Sequence, residues 1–200
     1  MNAKIRRLTE SAVMLALATV LSLLPIYRMP QGGSITLFSM VPILLIAWRY
    51  GVKWGMFTGF VFSLLQLLLG GLADLRGYNF AVFVGSLFFD YFFAFAALGL
   101  AGIFRRAIKR EWLSIVLGSV VAVVVRFACH FISGVVFWSW MLPGSGHPGF
   151  SAVGYSLVYN AAYMGPDFAL SLVGILVISG TVGVSRLMRQ PKDTENVPRK

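Results

Sequence analysis

Residues 112–141 read WLSIVLGSVVAVVVRFACHFISGVVFWSWM, and only Arg126 and His130 in this run ionise near neutral pH. An α-helix needs about 20 apolar residues to cross roughly 30 Å of hydrocarbon. The run is long enough to cross, and the rest of the chain repeats its character. Of the 200 residues 58% are hydrophobic and 12% charged, and the mean hydropathy is +0.81. Soluble domains carry roughly 45–50% apolar and about 25% charged residues. A soluble core of this length could not enclose 17 Phe and 5 Trp together with such uncharged runs. The composition therefore predicts an all-α integral membrane protein.

Pro, Gly and charge divide the chain into six candidate transmembrane helices, near 8–25, 36–49, 54–71, 80–104, 112–141 and 152–187. The second is short. Pro42 interrupts Leu37 to Trp48, which predicts a tilted, kinked or partly inserted helix, and Arg28 to Ser34 before it reads as a turn-rich loop. Residues 1–190 then form one six-helix membrane domain, and 191–200, with Pro191 and Pro198, a polar tail. The basic start, Met1 to Arg7, has the charge order of a signal peptide. Its apolar run continues to Leu24 without an A-x-A-like cleavage site, which predicts a retained first helix.

Charge placement orients the helices, because Lys and Arg gather in cytoplasmic loops. With six crossings and a cytoplasmic N-terminus, 14 of the 17 Lys and Arg fall on the cytoplasmic side. Arg28 and Arg76 are left outside, and Arg126 lies within the fifth span. Both termini are thus expected in the cytoplasm. The net charge of +10 comes from these loops rather than from a basic polar face, which argues against nucleic acid as a partner. There is no G-x-x-x-x-G-K-[ST], so any ATP drive must come from a partner chain. H-E-x-x-H, G-x-S-x-G and Cys/His clusters are also missing, which predicts no metal site, and Cys129 reads as a small buried hydrophobe. No clear internal repeat of the kind common in transporters is visible.

Ionisable groups inside membrane spans cost free energy and are candidate site residues: Asp90, Arg126, His130 and Asp167. The alternative is that Asp90 and Arg126 form a structural pair or that some of these groups snorkel to an interface, and that Asp167, after Pro166, satisfies backbone freed by a kink. In the fifth span Arg126, His130, Gly134 and Trp138 recur at steps of four, with Gly134 leaving room beside the imidazole and indole. In the sixth, Tyr155, Tyr159 and Tyr163 do the same, and Asn160 stands seven residues before Asp167. Singly these aromatics fit packing or an interfacial belt. Together, near the outer ends of spans four to six, they can line one pocket on the extracellular side. Such a pocket suits a small, flat, cationic heterocycle, because aromatic faces attract a desolvated cation and a carboxylate complements its charge.

The chain resembles the thiamine-specific S components of energy-coupling factor (ECF) transporters, the ThiT family. The resemblance runs from Leu8 to about Arg186. It rests on Pro30-Gln31-Gly32-Gly33-Ser34-Ile35-Thr36-Leu37, on Asp90-Tyr91, on His130 through Trp138, and on Tyr155-Ser156-Leu157-Val158-Tyr159-Asn160 in this order. It implies a subunit of the plasma membrane that captures thiamine from outside. Docked on an EcfT-like transmembrane coupling subunit with two ATPase subunits, such a subunit releases its vitamin inward. The family's acidic-Tyr pair maps to Asp90 and Tyr91, although a family member carries the longer Glu in place of Asp90. Its stacking His and Trp map to His130 and Trp138 with Gly134 between, and its Tyr and Asn to Tyr155 and Asn160. Phe62, Tyr78, Phe80, Tyr159 and Tyr163 are further candidate contacts, and Gln31, Gly32, Gly33 and Ser34 would belong to a lid. Ala12 and Ala16 resemble the small-residue motif that docks on the coupling subunit; read from the residues alone, Ala is simply common in membrane helices.

The expected activity is therefore binding for transport, without a cofactor and without catalysis. Alternatives are an S component for another vitamin or a thiamine precursor, a self-sufficient ion-coupled transporter using Asp90, Arg126 and Asp167, and an intramembrane enzyme using Asp90 and His130. For the last, no nucleophile or oxyanion arrangement is visible.

Overall fold

A computed structural model describes residues 2–30, 32–138 and 151–181. Gln31, the end of the fifth expected span at 139–141, the end of the sixth at 182–187 and the expected tail lie outside the described residues.

Helix α1 spans Ala3–Ser22 and starts earlier than its apolar run, because the Asn2 side chain accepts the Lys4 backbone N–H at 3.1 Å and caps it. Pro25 cannot extend the helix. Instead Pro25–Arg28 (β1) pairs antiparallel with Ser34–Thr36 (β2), with Arg28 opposite Ser34 and Tyr27 opposite Ile35. This hairpin departs from the all-α expectation, and it occupies the segment read as a loop. Its turn needs glycine: Gly32 and Gly33 have φ of +91° and +87°.

Helix α2, Val41–Tyr50, begins five residues later than expected, since 36–40 go to the end of β2 and a turn. Pro42 lies in its first turn, where the missing N–H breaks no hydrogen bond, so it starts the helix and does not kink it. Ten residues rise about 15 Å, half a bilayer core. Val41 through Arg49 are all buried, which makes α2 the helix around which the others pack.

Gly51, at φ +90°, reverses the chain into α3, Val52–Asp74. Helix α3 turns π-helical over Leu67–Gly71 and bends at Gly70. Helix α4, Phe80–Gly102, is capped by the Asn79 side chain, π-helical over Leu87–Phe93 and 3₁₀ over Ala97–Gly102. Helix α5 spans Glu111–Val136, and α6 spans Ala152–Thr181 with Pro166 inside it. Among the described residues these last four helices are long and apolar enough to cross a membrane. Helix α1 carries Lys4, Arg6, Arg7 and Glu10 in its first half, and α2 is short.

Small residues let the helices meet backbone to backbone: Gly59 lies on the Phe95 carbonyl, Gly102 on that of Ala47 and Gly118 on that of Ala101. The outer wall is apolar, with Val13, Val124 and Val177 exposed, as a protein in hydrocarbon requires. One end of the bundle is polar. There Glu10 accepts from Arg6 at 2.7 Å, Arg49 at 2.9 Å and the Tyr50 hydroxyl, while the Arg7 guanidinium lies 4.0 Å over the Trp54 ring. These contacts clamp α1 to α2 and α3. The hairpin covers the opposite end, and the candidate site lies beneath it.

Candidate functional site beneath the hairpin

A cavity of about 620 Å³ opens between the hairpin, the C-terminal part of α3, the middle of α4, the last turns of α5 and the first half of α6. Drug-sized ligands occupy pockets of roughly 300–1,000 Å³. Asp90, Tyr91, His130, Gly134, Trp138, Tyr155 and Asn160 all line it, as do Phe62, Tyr78, Tyr159 and Tyr163. Of the residues expected to form a lid, Gly32, Gly33 and Ser34 line it too. Phe80 does not: it opens α4 and is 82% exposed. Ala12 and Ala16 are exposed on α1, away from the cavity.

Asp90 and Tyr91 are neighbours in sequence, yet both face the cavity because they sit in the π-helical part of α4. A π turn holds more residues per revolution than an α turn, so adjacent side chains diverge less. Asp90 is the hub of the site. Its Oδ1 lies 3.1 Å from His130 Nδ1, and its Oδ2 accepts from Ser133 Oγ at 2.6 Å and from Trp138 Nε1 at 3.4 Å. The indole also donates to Ser86 Oγ at 2.9 Å, and Tyr78 meets its ring edge to face at 4.8 Å. The polar edge of Trp138 is thereby occupied.

Helix α6 supplies the opposite wall. Asn160 donates to the Ser156 carbonyl at 2.9 Å and accepts from the Tyr163 hydroxyl at 3.1 Å, which fixes its carboxamide plane. Tyr155 stacks on Tyr159 at 5.6 Å, and the Tyr159 hydroxyl donates to the Gly32 carbonyl at 2.8 Å. The space beside Gly134 serves α6 rather than the imidazole and indole: a Cβ there would strike Ser156 Oγ, which itself donates to the Phe131 carbonyl at 2.9 Å. Gly134 thus brings α5 and α6 together.

Two of the buried charges take partners other than those expected. Arg126 does not bridge to Asp90; its Nε donates to His130 Nε2 at 3.4 Å and its guanidinium lies 4.5 Å over the Phe95 ring. Asp167 does not satisfy backbone freed by Pro166. Its Oδ1 accepts the backbone N–H and the hydroxyl of Thr36, both at 2.8 Å, and so fastens β2 to α6. Sequence reasoning missed Ser86, Ser133, Ser156 and Thr36, since a lone hydroxyl in an apolar segment carries no pattern. It also missed Gln66 and Asp74, which line the cavity from α3.

The lining carries the carboxylates of Asp74, Asp90 and Asp167 against the guanidinium groups of Arg28 and Arg126. Negative charge is in excess, and rings of Tyr, Trp and His surround it. That arrangement favours a cation over an anion. Among the described residues no group of three His, Cys, Asp or Glu is placed to hold a metal ion.

Comparison with known proteins gives a consistent picture. The family model described as "Thiamine transporter protein (Thia_YuaJ)" matches residues 8–184. The chain is 36% identical to the thiamine transporter ThiT of Bacillus subtilis (strain 168) over 197 residues, 93% of this chain and 95% of that one. It is 28% identical to the thiamine transporter ThiT of Lacticaseibacillus paracasei over 180 residues, 84% and 85% of the two chains. A solved structure of ThiT from Listeria monocytogenes superposes with a TM-score of 0.71 at 22% identity, covering 92% of this chain and 98% of that one, and shares its fold.

Proposed function

The chain belongs to the thiamine transporter family matched over residues 8–184 and is a multi-pass membrane protein, and from that premise we propose that its cavity binds thiamine for uptake. The observation that carries this reading is the excess of carboxylates among aromatic rings in a cavity of about 620 Å³. Thiamine joins a cationic thiazolium to a flat aminopyrimidine, so one part asks for π faces and a carboxylate and the other for in-plane hydrogen bonds.

In this reading Asp90 supplies charge. Trp138 and His130 stack, because the edge of each ring is already hydrogen-bonded and the faces are what remain. Tyr91, Tyr155 and Asn160 supply polar contacts, and Gly134 the helix approach that places Asn160. Phe62, Tyr78, Tyr159 and Tyr163 complete the wall. The hairpin is the lid, with Gly32, Gly33 and Ser34 facing the ligand.

The finer architecture is likewise our reading. Six crossings, α1 to α6, leave both termini in the cytoplasm and turn the hairpin and pocket to the extracellular side of the plasma membrane. Helix α2 crosses together with the extended residues before it. The support is the charge pattern, since the Arg49, Lys53 and Arg105 to Arg110 turns lie at the end remote from the hairpin. The protein acts as the S component of an ECF transporter, a binding subunit and not an enzyme, with no cofactor. An EcfT-like coupling subunit and two ATPase subunits supply the drive the chain lacks a motif for. Ala12 and Ala16, exposed on α1, are the docking position for that subunit.

The test is a thiamine titration of the purified protein followed by intrinsic fluorescence. Saturable quenching at nanomolar to low micromolar thiamine, lost in Trp138→Ala, is the expected result. No response up to millimolar thiamine in folded protein would overturn the ligand assignment. Competition by isolated pyrimidine or thiazole fragments at equal potency would move it to a precursor. Uptake by the lone protein in ATP-free vesicles under a pH gradient would remove the need for ATPase partners.

A further inference from the structure

The contacts of the His130 ring run in a direction that donor chemistry fixes. A guanidinium has donors only. Arg126 Nε lies 3.4 Å from His130 Nε2, so that nitrogen accepts and carries no proton. On the other edge Nδ1 faces Asp90 Oδ1 at 3.1 Å. The second carboxylate oxygen already accepts from Ser133 and from an indole N–H, which can only donate. Asp90 is thus an acceptor throughout, and Nδ1–H donates to it. The ring is neutral and in one tautomer; an imidazolium would set an N–H against the N–H of Arg126.

Arg126 is itself built in. It is 9% exposed, its guanidinium lies over Phe95, and Nη1 lies 2.9 Å from Met40 Sδ. Asp167 of α6 lines the same cavity. The titratable or charged groups facing the pair are therefore Asp90 from α4, Tyr163 and Asp167 from α6 and Cys129 on α5.

We propose that Arg126 is a positioning residue which, by occupying Nε2, keeps His130 neutral as the Nδ1–H tautomer, so that the ring presents an electron-rich face to a cationic ligand. A buried Arg in a pocket for a cation is otherwise a charge of the wrong sign. Here its Nε–H is aimed at the imidazole edge and prevents a second cation from forming where the ligand stacks. The proposal deepens the thiamine reading and rests on it only for the choice of ligand.

The experiment has two arms. His130 and His147 are the two histidines of the chain, so His147→Gln protein labelled with ¹⁵N-histidine shows His130 alone. Without thiamine, between about pH 5.5 and 8, Nε2 is expected to resonate as an unprotonated nitrogen and Nδ1 as a protonated one. A proton on Nε2, or on both, overturns the proposal whether or not thiamine binds. The second arm follows thiamine affinity against pH in the wild type, Arg126→Met and Arg126→Lys. The wild type and the Lys variant, whose ammonium also has donors only, are expected to stay flat. The Met variant is expected to weaken as pH falls, by up to about tenfold per unit below the titration of the freed ring. A pH-independent loss in the Met variant would reduce Arg126 to a packing role and overturn the proposal. Wild-type protein that shows the tautomer but binds no thiamine sinks the thiamine reading alone.

Discussion

The Tyr159 hydroxyl donates to the Gly32 carbonyl at 2.8 Å, joining two residues 127 positions apart, and so ties the hairpin tip to the wall of α6. Removing that bond without disturbing the ring separates the closing of the lid from the making of the pocket. In Tyr159→Phe the stack on Tyr155 survives and one hydrogen bond, worth about 1 kcal/mol, is lost. Thiamine dissociation is expected to accelerate about fivefold with association little changed, since contacts of the bound state act mainly on the off-rate. Stopped-flow fluorescence measures both. An unchanged off-rate would show that the bond does not hold the lid.

Gly32 and Gly33 offer a controlled comparison. Both have positive φ, so both pay for a side chain in backbone strain, about 1 kcal/mol. A Cβ on Gly32 meets nothing within 4 Å, whereas one on Gly33 would lie 2.9 Å from the Tyr163 ring. Gly33→Ala is therefore expected to weaken thiamine binding by a further factor of about ten over Gly32→Ala, the tip being lifted off the tyrosine, since about 1.4 kcal/mol is a factor of ten. Calorimetric titration of the two variants side by side reads the difference, and equal losses would place the tip away from the ligand.

Asp90→Asn keeps the size of the hub and removes its charge. The ring N–H of His130, the Ser133 hydroxyl and the Trp138 indole then compete for one carbonyl oxygen, and an amide N–H faces a donor. Hydrogen bonds to a charged group contribute roughly 1.5–3 kcal/mol, so thiamine affinity is expected to fall about ten- to a hundredfold. Titration of purified variant protein checks it. Unchanged affinity would remove Asp90 from the site.

The membrane helices α3 to α6 were legible because each is a long apolar run flanked by charged residues or by Gly- and Pro-containing turns. Helix α1 was misjudged at its start, where an Asn2 cap continues the helix through polar residues that a hydropathy reading assigns to solvent. The hairpin was not legible: strands of four and three residues are too short to show alternation, and Gly32-Gly33 signals only that the chain turns. Pro42 misled because its effect depends on position, and in a first turn it breaks nothing. In the site, steps of four along α5 and α6 brought their residues to one cavity. The adjacency of Asp90 and Tyr91 depends on a π turn that no periodicity encodes. The serine and threonine partners were hidden because their meaning lies in contacts distant in sequence, as with Thr36 of β2 and Asp167 of α6, 131 positions apart.

That Thr36–Asp167 pair roots the hairpin on α6, and its two bonds can be taken apart. Asp167 Oδ1 accepts both the amide and the hydroxyl of Thr36 at 2.8 Å in a buried setting, and Ser39 Oγ lies 2.5 Å from the same hydroxyl. Thr36→Val removes only the hydroxyl and leaves the amide paired. Asp167→Ala removes the acceptor for both and strands a buried N–H, which costs about 1–3 kcal/mol. Asp167→Ala is therefore expected to lower the midpoint of thermal unfolding in detergent more than Thr36→Val, and to open the turn at residues 29–33 to protease. Thr36→Ser, which keeps both donors, is expected to behave as wild type. Because Asp167 is also one of the cavity carboxylates, thiamine is expected to restore protease resistance in Asp167→Ala only at concentrations well above those that protect Thr36→Val, by linkage of binding to the ordered hairpin. If Thr36→Val is as damaging as Asp167→Ala, the hydroxyl network with Ser39 and not the carboxylate roots the hairpin.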